Sequence, residues 1–225
     1  MSTQFFARKG MAFVAAVAIF LCGLFGGATA ATAQTQTAVE YSYAAWNYYF
    51  VTASPEEIAV LDGGAFGGVW QRTGQTFEVW SEATGGALPT CRFFSTGFAP
   101  KSTHFYTPYA AECAGLKSDP NWQYEAIAFY LQLPDGNGNC PVGTTILYRL
   151  FNNFMGGAPN HRFTTSAATF SQMRAMGWIF EGDARTFAFA CVPQSGTARA
   201  MCMTSPSPTA RALACTTSPI GCRPR

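Results

Sequence analysis

Apolar and polar positions between residues 34 and 193 follow a motif that is written three times. With Ser54, Tyr109 and Ser166 as anchors, Ile58, Cys113 and Phe170 lie four residues on, and Leu61, Leu116 and Met173 seven residues on. That is the spacing of one helix face, so the pattern predicts three short helices. Ser54-Pro55-Glu56-Glu57 reads as a capping box with proline at the first helical position, and Ser166 is a second good cap. In the middle copy, Thr107-Pro108 predicts a helix start two residues earlier. A short β-prone run precedes each anchor, at residues 49–52, 104–107 and 161–164. Each helix is followed by a tryptophan (Trp70, Trp122, Trp178) and then by a further run at 76–80, 127–131 or 186–191. Each copy opens with another strand-like stretch, at 39–43, 91–94 or 147–151.

The unit therefore reads strand, strand, helix, strand. The corresponding threonines Thr52, Thr107 and Thr164 set offsets of 55 and 57 residues. No such unit buries a stable core alone, whereas three packed together can. The predicted fold class is a strand-rich α+β domain. Its three strand-strand-helix-strand repeats span about 38–88, 89–145 and 146–193, and close with pseudo-three-fold symmetry.

Outside these units the pattern changes. Arg8 and Lys9 precede an almost unbroken apolar run over residues 11–25, and small-x-small sites follow at 28–30 and 31–33. Residues 1–33 therefore read as a signal peptide, and the mature protein as secreted or periplasmic, touching the membrane only through the cleaved leader. From Gln194 the composition turns to Ser, Thr, Pro, Ala and Arg without apolar period, which predicts a disordered tail over 194–225. The whole chain, 48% hydrophobic and 12% charged, is too apolar to be disordered throughout. Residues 34–193 hold eight basic and twelve acidic side chains, a balance that argues against a nucleic-acid partner.

Export makes disulfides the expected use of cysteine. Cys91, Cys113, Cys140 and Cys191 allow three pairings. The preferred one is Cys91–Cys113, tying the second unit's opening strand to its own helix, with Cys140–Cys191, tying the entry of the third unit to its last strand. No Cys-x-x-Cys or His-x-His spacing occurs, so no metal and no cofactor is expected. Residues 135–139 begin like a calcium loop, lack its distal glutamate, and read as an inter-unit turn.

The chemistry-bearing candidates are His104 with Glu125 and His161 with Glu181. They recur at one place in the second and third units, where the first carries Tyr49 and Thr73. Such a pair suits acid–base work or sugar hydroxyls. A polar residue repeated in a closed array also serves to satisfy buried neighbours, and that structural role is the stronger expectation. No nucleophile elbow, His-Glu-x-x-His or phosphate loop is present. The connections 95–103 and 152–160 each lead to a repeated histidine. They offer Phe98, Lys101, Phe154 and Asn160 as ring platforms and hydrogen-bonding groups.

His104-Phe105-Tyr106-Thr107, a short helix, and then the Trp-x-Tyr-Glu-x-x-Ala-Phe-Tyr run from Trp122 to Tyr130 resemble an uncharacterised repeat domain of secreted bacterial proteins. The likeness extends over residues 39–193, with Tyr49 and Thr73 departing from it in the first unit. In that family the unit is often appended to secreted hydrolases, which implies an accessory role at the cell surface. The functional expectation is a non-catalytic binding module for carbohydrate or another cell-envelope polymer. The alternatives are a hydrolase using a His/Glu pair and a structural or adhesive envelope protein.

Overall fold

The structure is a computed structural model that describes residues 33–195. The leader expected over 1–33 and the tail expected over 194–225 lie outside them, save for Ala33, Gln194 and Ser195. The first four elements are β1 (Thr35–Tyr43), β2 (Tyr48–Thr52), α1 (Pro55–Asp62) and β3 (Gln71–Trp80). Next come β4 (Leu88–Phe98), β5 (Lys101–Thr107), α2 (Ala110–Lys117) and β6 (Gln123–Leu131). The last are β7 (Thr144–Phe151), β8 (His161–Thr164), α3 (Ala167–Ala175), β9 (Ile179–Glu181) and β10 (Ala190–Pro193). Every ladder is antiparallel, and the result is a strand-rich α+β fold.

In each run the opening strand is central. β1 lies between β2 and β3, β4 lies between β5 and β6, and β7 pairs with β8, β9 and β10. β3 meets β6 at Trp80 and Tyr130, joining the first two runs into one six-stranded sheet. The backbone bridge between Gln132 and Cys191 carries the end of β6 to β10. The main core draws on all three runs. Val51, Tyr106 and Phe163, each one residue before its threonine, meet there with Phe77, Phe129 and Phe189.

The three tryptophans have corresponding surroundings. Trp70 packs with Tyr41, Ile58 and Leu61, and Trp122 with Phe93, Cys113 and Leu116. Trp178 packs with Leu150, Phe170 and Met173. These are the i+4 and i+7 helix positions together with one opening-strand position. The disulfide Cys91–Cys113 joins strand and helix in the second run, and at the corresponding positions of the third run the rings of Tyr148 and Phe170 stack at 4.4 Å instead. The second disulfide is Cys140–Cys191. Both are the pairs expected from the sequence.

Each helix begins after a threonine turn. The hydroxyls of Thr52, Thr107 and Thr164 accept from the amides of Ser54, Tyr109 and Ser166 at 3.0, 3.0 and 3.1 Å. Thr107 is thereby engaged outside the helix, so α2 starts at Ala110 and not two residues earlier. Ser54 and Ser166 accept from Glu57 N and Thr169 N, as N-caps do. The Glu57 carboxylate does not complete the box on Ser54; it takes the Thr52 hydroxyl instead.

Two strand expectations change. The stretch 95–103 is a hairpin, because β4 and β5 continue through the buried Ser95–Thr103 pair and turn at Ala99-Pro100. The closing strand of the third run is broken into β9 and β10. Between them Asp183 accepts from the amides of Arg185 and Thr186, forming a turn. That turn holds the 135–139 segment, with Arg185 and Thr186 donating to Gly136 and Gly138 carbonyls at 2.7 and 2.8 Å.

Candidate functional site

The site grows out of the strand register. Val39, Cys91 and Tyr148 face Thr52, Thr107 and Thr164, so the next residues (Glu40, Arg92, Arg149) occupy equivalent points of three ladders. Arg92 forms a fork with Glu57 of α1, both contacts being 2.8 Å, and its Nε lies 2.7 Å from Glu125 of β6. His104 Nε2 stands 3.5 Å from the same carboxylate. Arg149 repeats the arrangement with Glu112 of α2 at 3.1 Å, Glu181 of β9 at 2.8 Å, and His161 at 3.2 Å from Glu181.

At the remaining junction acid and base exchange strands. Glu40 stands where the arginines stand, and Arg162 of β8 reaches it at 2.8 and 2.9 Å. Thr73, in place of the glutamate, donates to Glu40 at 2.7 Å. Tyr49, in place of the histidine, lies under the Arg162 guanidinium at 3.9 Å. Gln75 joins Thr164 and Thr169, at 2.7 and 2.8 Å. The departure of Tyr49 and Thr73 from the repeated pattern is thus the signature of a differently wired junction.

Burial raises the carboxyls of Glu57, Glu112, Glu125 and Glu181, but their arginine and histidine partners outweigh it and hold all four below the usual range. The two histidines differ. His161 is buried, stacked on Phe151 at 5.0 Å, and burial pushes its pKa down despite Glu181. His104 is half-buried between Phe50 and Phe94, at 4.7 and 4.9 Å, and borders a cleft.

That cleft has a volume of about 680 Å³, well within the range of small-molecule sites. One wall is a run of rings. Trp70 lies 5.8 Å edge-on from Tyr43, and Tyr43 lies 4.4 Å from Trp46. The lining also includes His104, Glu125 and the first turn of α1 with Glu56 and Glu57, and the rings continue from Trp70 through Phe50 to His104. Phe66, 73% exposed on a 3-10 turn at Ala65–Gly68, also lines the cleft. Phe66 itself has φ 55°, the left-handed region that aromatic residues seldom occupy and that marks stored strain.

The structure brings His104, Glu125 and Asn160 to this cleft. Asn160 works as a backbone brace there, its side chain accepting from Tyr49 N at 2.8 Å and donating to Tyr49 O at 3.1 Å. His161 and Glu181 form a separate, closed cluster. Phe98 packs against Trp122 at 6.4 Å. Lys101 donates to the Gly156 carbonyl at 2.7 Å and covers the Tyr48 ring. Phe154 is exposed and meets Phe151 edge-on at 5.3 Å. The aromatic wall and Phe66 escaped the sequence reading. The available signal was spacing: nine residues separate Leu61 from Trp70, against six from Leu116 to Trp122 and five from Met173 to Trp178. That glycine-rich excess builds the rim. Among the described residues no group of His, Cys, Asp or Glu side chains is gathered to hold a metal ion. No helix among them is long and apolar enough to cross a membrane.

A family model described as a domain of unknown function (DUF5648) matches residues 27–132, a span that takes in β1 to β6 and nearly all of the cleft. No curated protein matches the chain. No solved structure matches it.

Proposed function

We propose that the chain is an exported, non-catalytic binding module that takes a carbohydrate or another cell-envelope polymer in the cleft beside Trp46 and Trp70. The observation that carries this reading is one cleft of about 680 Å³ lined by the contiguous rings of Trp70, Tyr43 and Trp46 together with the carboxylates of Glu56, Glu57 and Glu125. Flat rings accept the apolar faces of sugars, and carboxylates and a histidine accept and donate to their hydroxyls. The two disulfides and the leader pattern support a secreted or periplasmic location. Matching ladder points and matching tryptophan surroundings support three repeats closed about a pseudo-three-fold axis.

Glycan arrays and polysaccharide pull-downs test the module. The expected result is binding by the native chain that falls about ten- to hundred-fold in Trp46→Ala and Phe66→Gly. Phe66→Gly, which relieves the left-handed strain, keeps the melting temperature at least as high as native. No binding to any glycan, together with turnover of a substrate by the pure protein, sinks the reading. It would favour the second one, a hydrolase, whose motivating observation is the His104–Glu125 pair at the cleft edge. His104→Ala then abolishes turnover without lowering the melting temperature.

A further inference from the structure

From the charge of the cleft we infer that its preferred sugar chain bears free ammonium groups, as in a glucosamine polymer without N-acetyl groups. This rests on the saccharide reading above and narrows it. Glu56, Glu57 and Glu125 line the cleft, and among the described residues no lysine or arginine does. One guanidinium, that of Arg92, serves both Glu57 and Glu125 from behind the wall. With His104, 3.5 Å from Glu125, counted as neutral, a single positive charge shared by two carboxylates leaves one negative charge over.

Glu56 adds a second. Its carboxylate accepts from the Ser54 hydroxyl at 2.8 Å, and it has no cationic partner among the described residues. It is exposed on the first turn of α1, where the Ser54 hydrogen bond holds its carboxyl below the usual range and so keeps it ionised. An anionic polymer entering here meets like charge with nothing to neutralise it. A neutral sugar meets only the rings and hydrogen-bonding groups.

An ammonium-bearing sugar uses both the rings and the carboxylates. Its ring lies on the Tyr43–Trp46 wall, 4.4 Å between centroids, while its ammonium faces Glu56 or the shared pair. The same ammonium is attracted by the faces of neighbouring rings. Sugar stacking alone does not distinguish amine from acetamide; the uncompensated carboxylates do.

The experiment is a tryptophan-fluorescence titration of the intact protein, Trp46 and Trp70 reporting from the cleft wall. The probes are a glucosamine oligomer, the N-acetylglucosamine oligomer of equal length, and a glucose oligomer, each at low and high salt. The expected result is glucosamine binding about five- to thirty-fold tighter than the other two, as one exposed ion pair plus a cation–ring contact supplies. High salt narrows that gap because the charges are near solvent. Glu56→Gln narrows it as well, with an unchanged melting temperature. If the N-acetyl or glucose oligomer binds as tightly as glucosamine, the ammonium inference is overturned and the saccharide reading stands. A glucosamine preference that survives both high salt and Glu56→Gln also overturns it. If none of the three binds, the ammonium inference falls, and the glycan arrays decide the saccharide reading separately.

Discussion

At the residue scale the fold is held by three polar junctions, and the wiring of each can be tested by charge. Glu40 and Arg162 are the most deeply buried pair, with side chains 1% and 8% exposed. Removing one member leaves an unpaired buried charge, so Glu40→Met is expected to cost about 3–5 kcal/mol. Glu40→Met with Arg162→Met recovers most of that loss, because two apolar chains of similar length replace two charges that were expensive to desolvate. Urea unfolding of both variants checks it; a double variant no more stable than the single one rejects the pairing. The carboxylates of Glu57, Glu112, Glu125 and Glu181 titrate below their ordinary 4.5 in the folded chain. Their stabilisation is complete above that value and is lost as pH falls through the lower folded values. His161 acts in a higher window. Unfolded, it takes a proton near 6.5, whereas its buried ring refuses one until lower pH, so stability also drops as pH falls below 6.5. A urea midpoint followed from pH 8 downward should therefore show two declines, and His161→Gln should flatten the upper one and weaken the Glu181 share of the lower. These junctions were half legible in the sequence. The histidines and glutamates stood out as a recurring pair, but their arginines did not. Yet Arg92 and Arg149 are 57 residues apart, the same interval as His104 and His161.

At the element scale, what the sequence made plain was periodicity, and what it hid was insertion. The helix faces and the tryptophans follow from spacing, because i+4 and i+7 contacts need only local geometry, whereas spacing leaves three cysteine pairings open, of which the observed one is the preferred. The cleft depends on the longer link after α1, on Trp46 in the short turn between β1 and β2, and on how α1 faces the β4–β5 hairpin. Those are relations between elements far apart in sequence, and no single stretch encodes them. The two disulfides make a graded prediction. Cys91–Cys113 spans 22 residues and Cys140–Cys191 spans 51. Loop-closure entropy gives about 3 kcal/mol for the shorter and about 4 kcal/mol for the longer. Replacing Cys140 and Cys191 by serine should therefore lower the denaturant midpoint more than replacing Cys91 and Cys113. Hydrogen exchange should rise first at 190–193, where β10 pairs only with the first half of β7 and the single bridge at Gln132. Equal loss from both pairs, with no local exchange at β10, contradicts this account.

At the scale of the whole molecule, the question is whether β1 to β6 form a stable body without the rest. The family model ends at residue 132, just past β6, so a chain of residues 33–132 contains all of the matched span from residue 33 on, and the cleft lining apart from Asn160. Such a fragment keeps a six-stranded sheet and the Cys91–Cys113 disulfide. It loses Leu147, Phe163, Phe189, Ala190 and Val192, which fill the same core as Val51, Tyr106 and Phe129. Tyr106 would lose the Phe163 ring now packed edge-on at 5.6 Å, and Glu40 would keep no arginine. Phe77 and Leu131 would face solvent as well. An exposed apolar face of that size next to an unpaired acid is not offset by sheet hydrogen bonds. The fragment is therefore expected to retain far-ultraviolet dichroism, lose its near-ultraviolet signal and bind a hydrophobic dye, as a collapsed chain without fixed packing does. The full chain should melt in one cooperative step with all of its aromatic signal intact. If the fragment instead melts cooperatively with dispersed amide resonances, then two units suffice for folding, and the third is an addition to a finished domain and not the piece that completes its core.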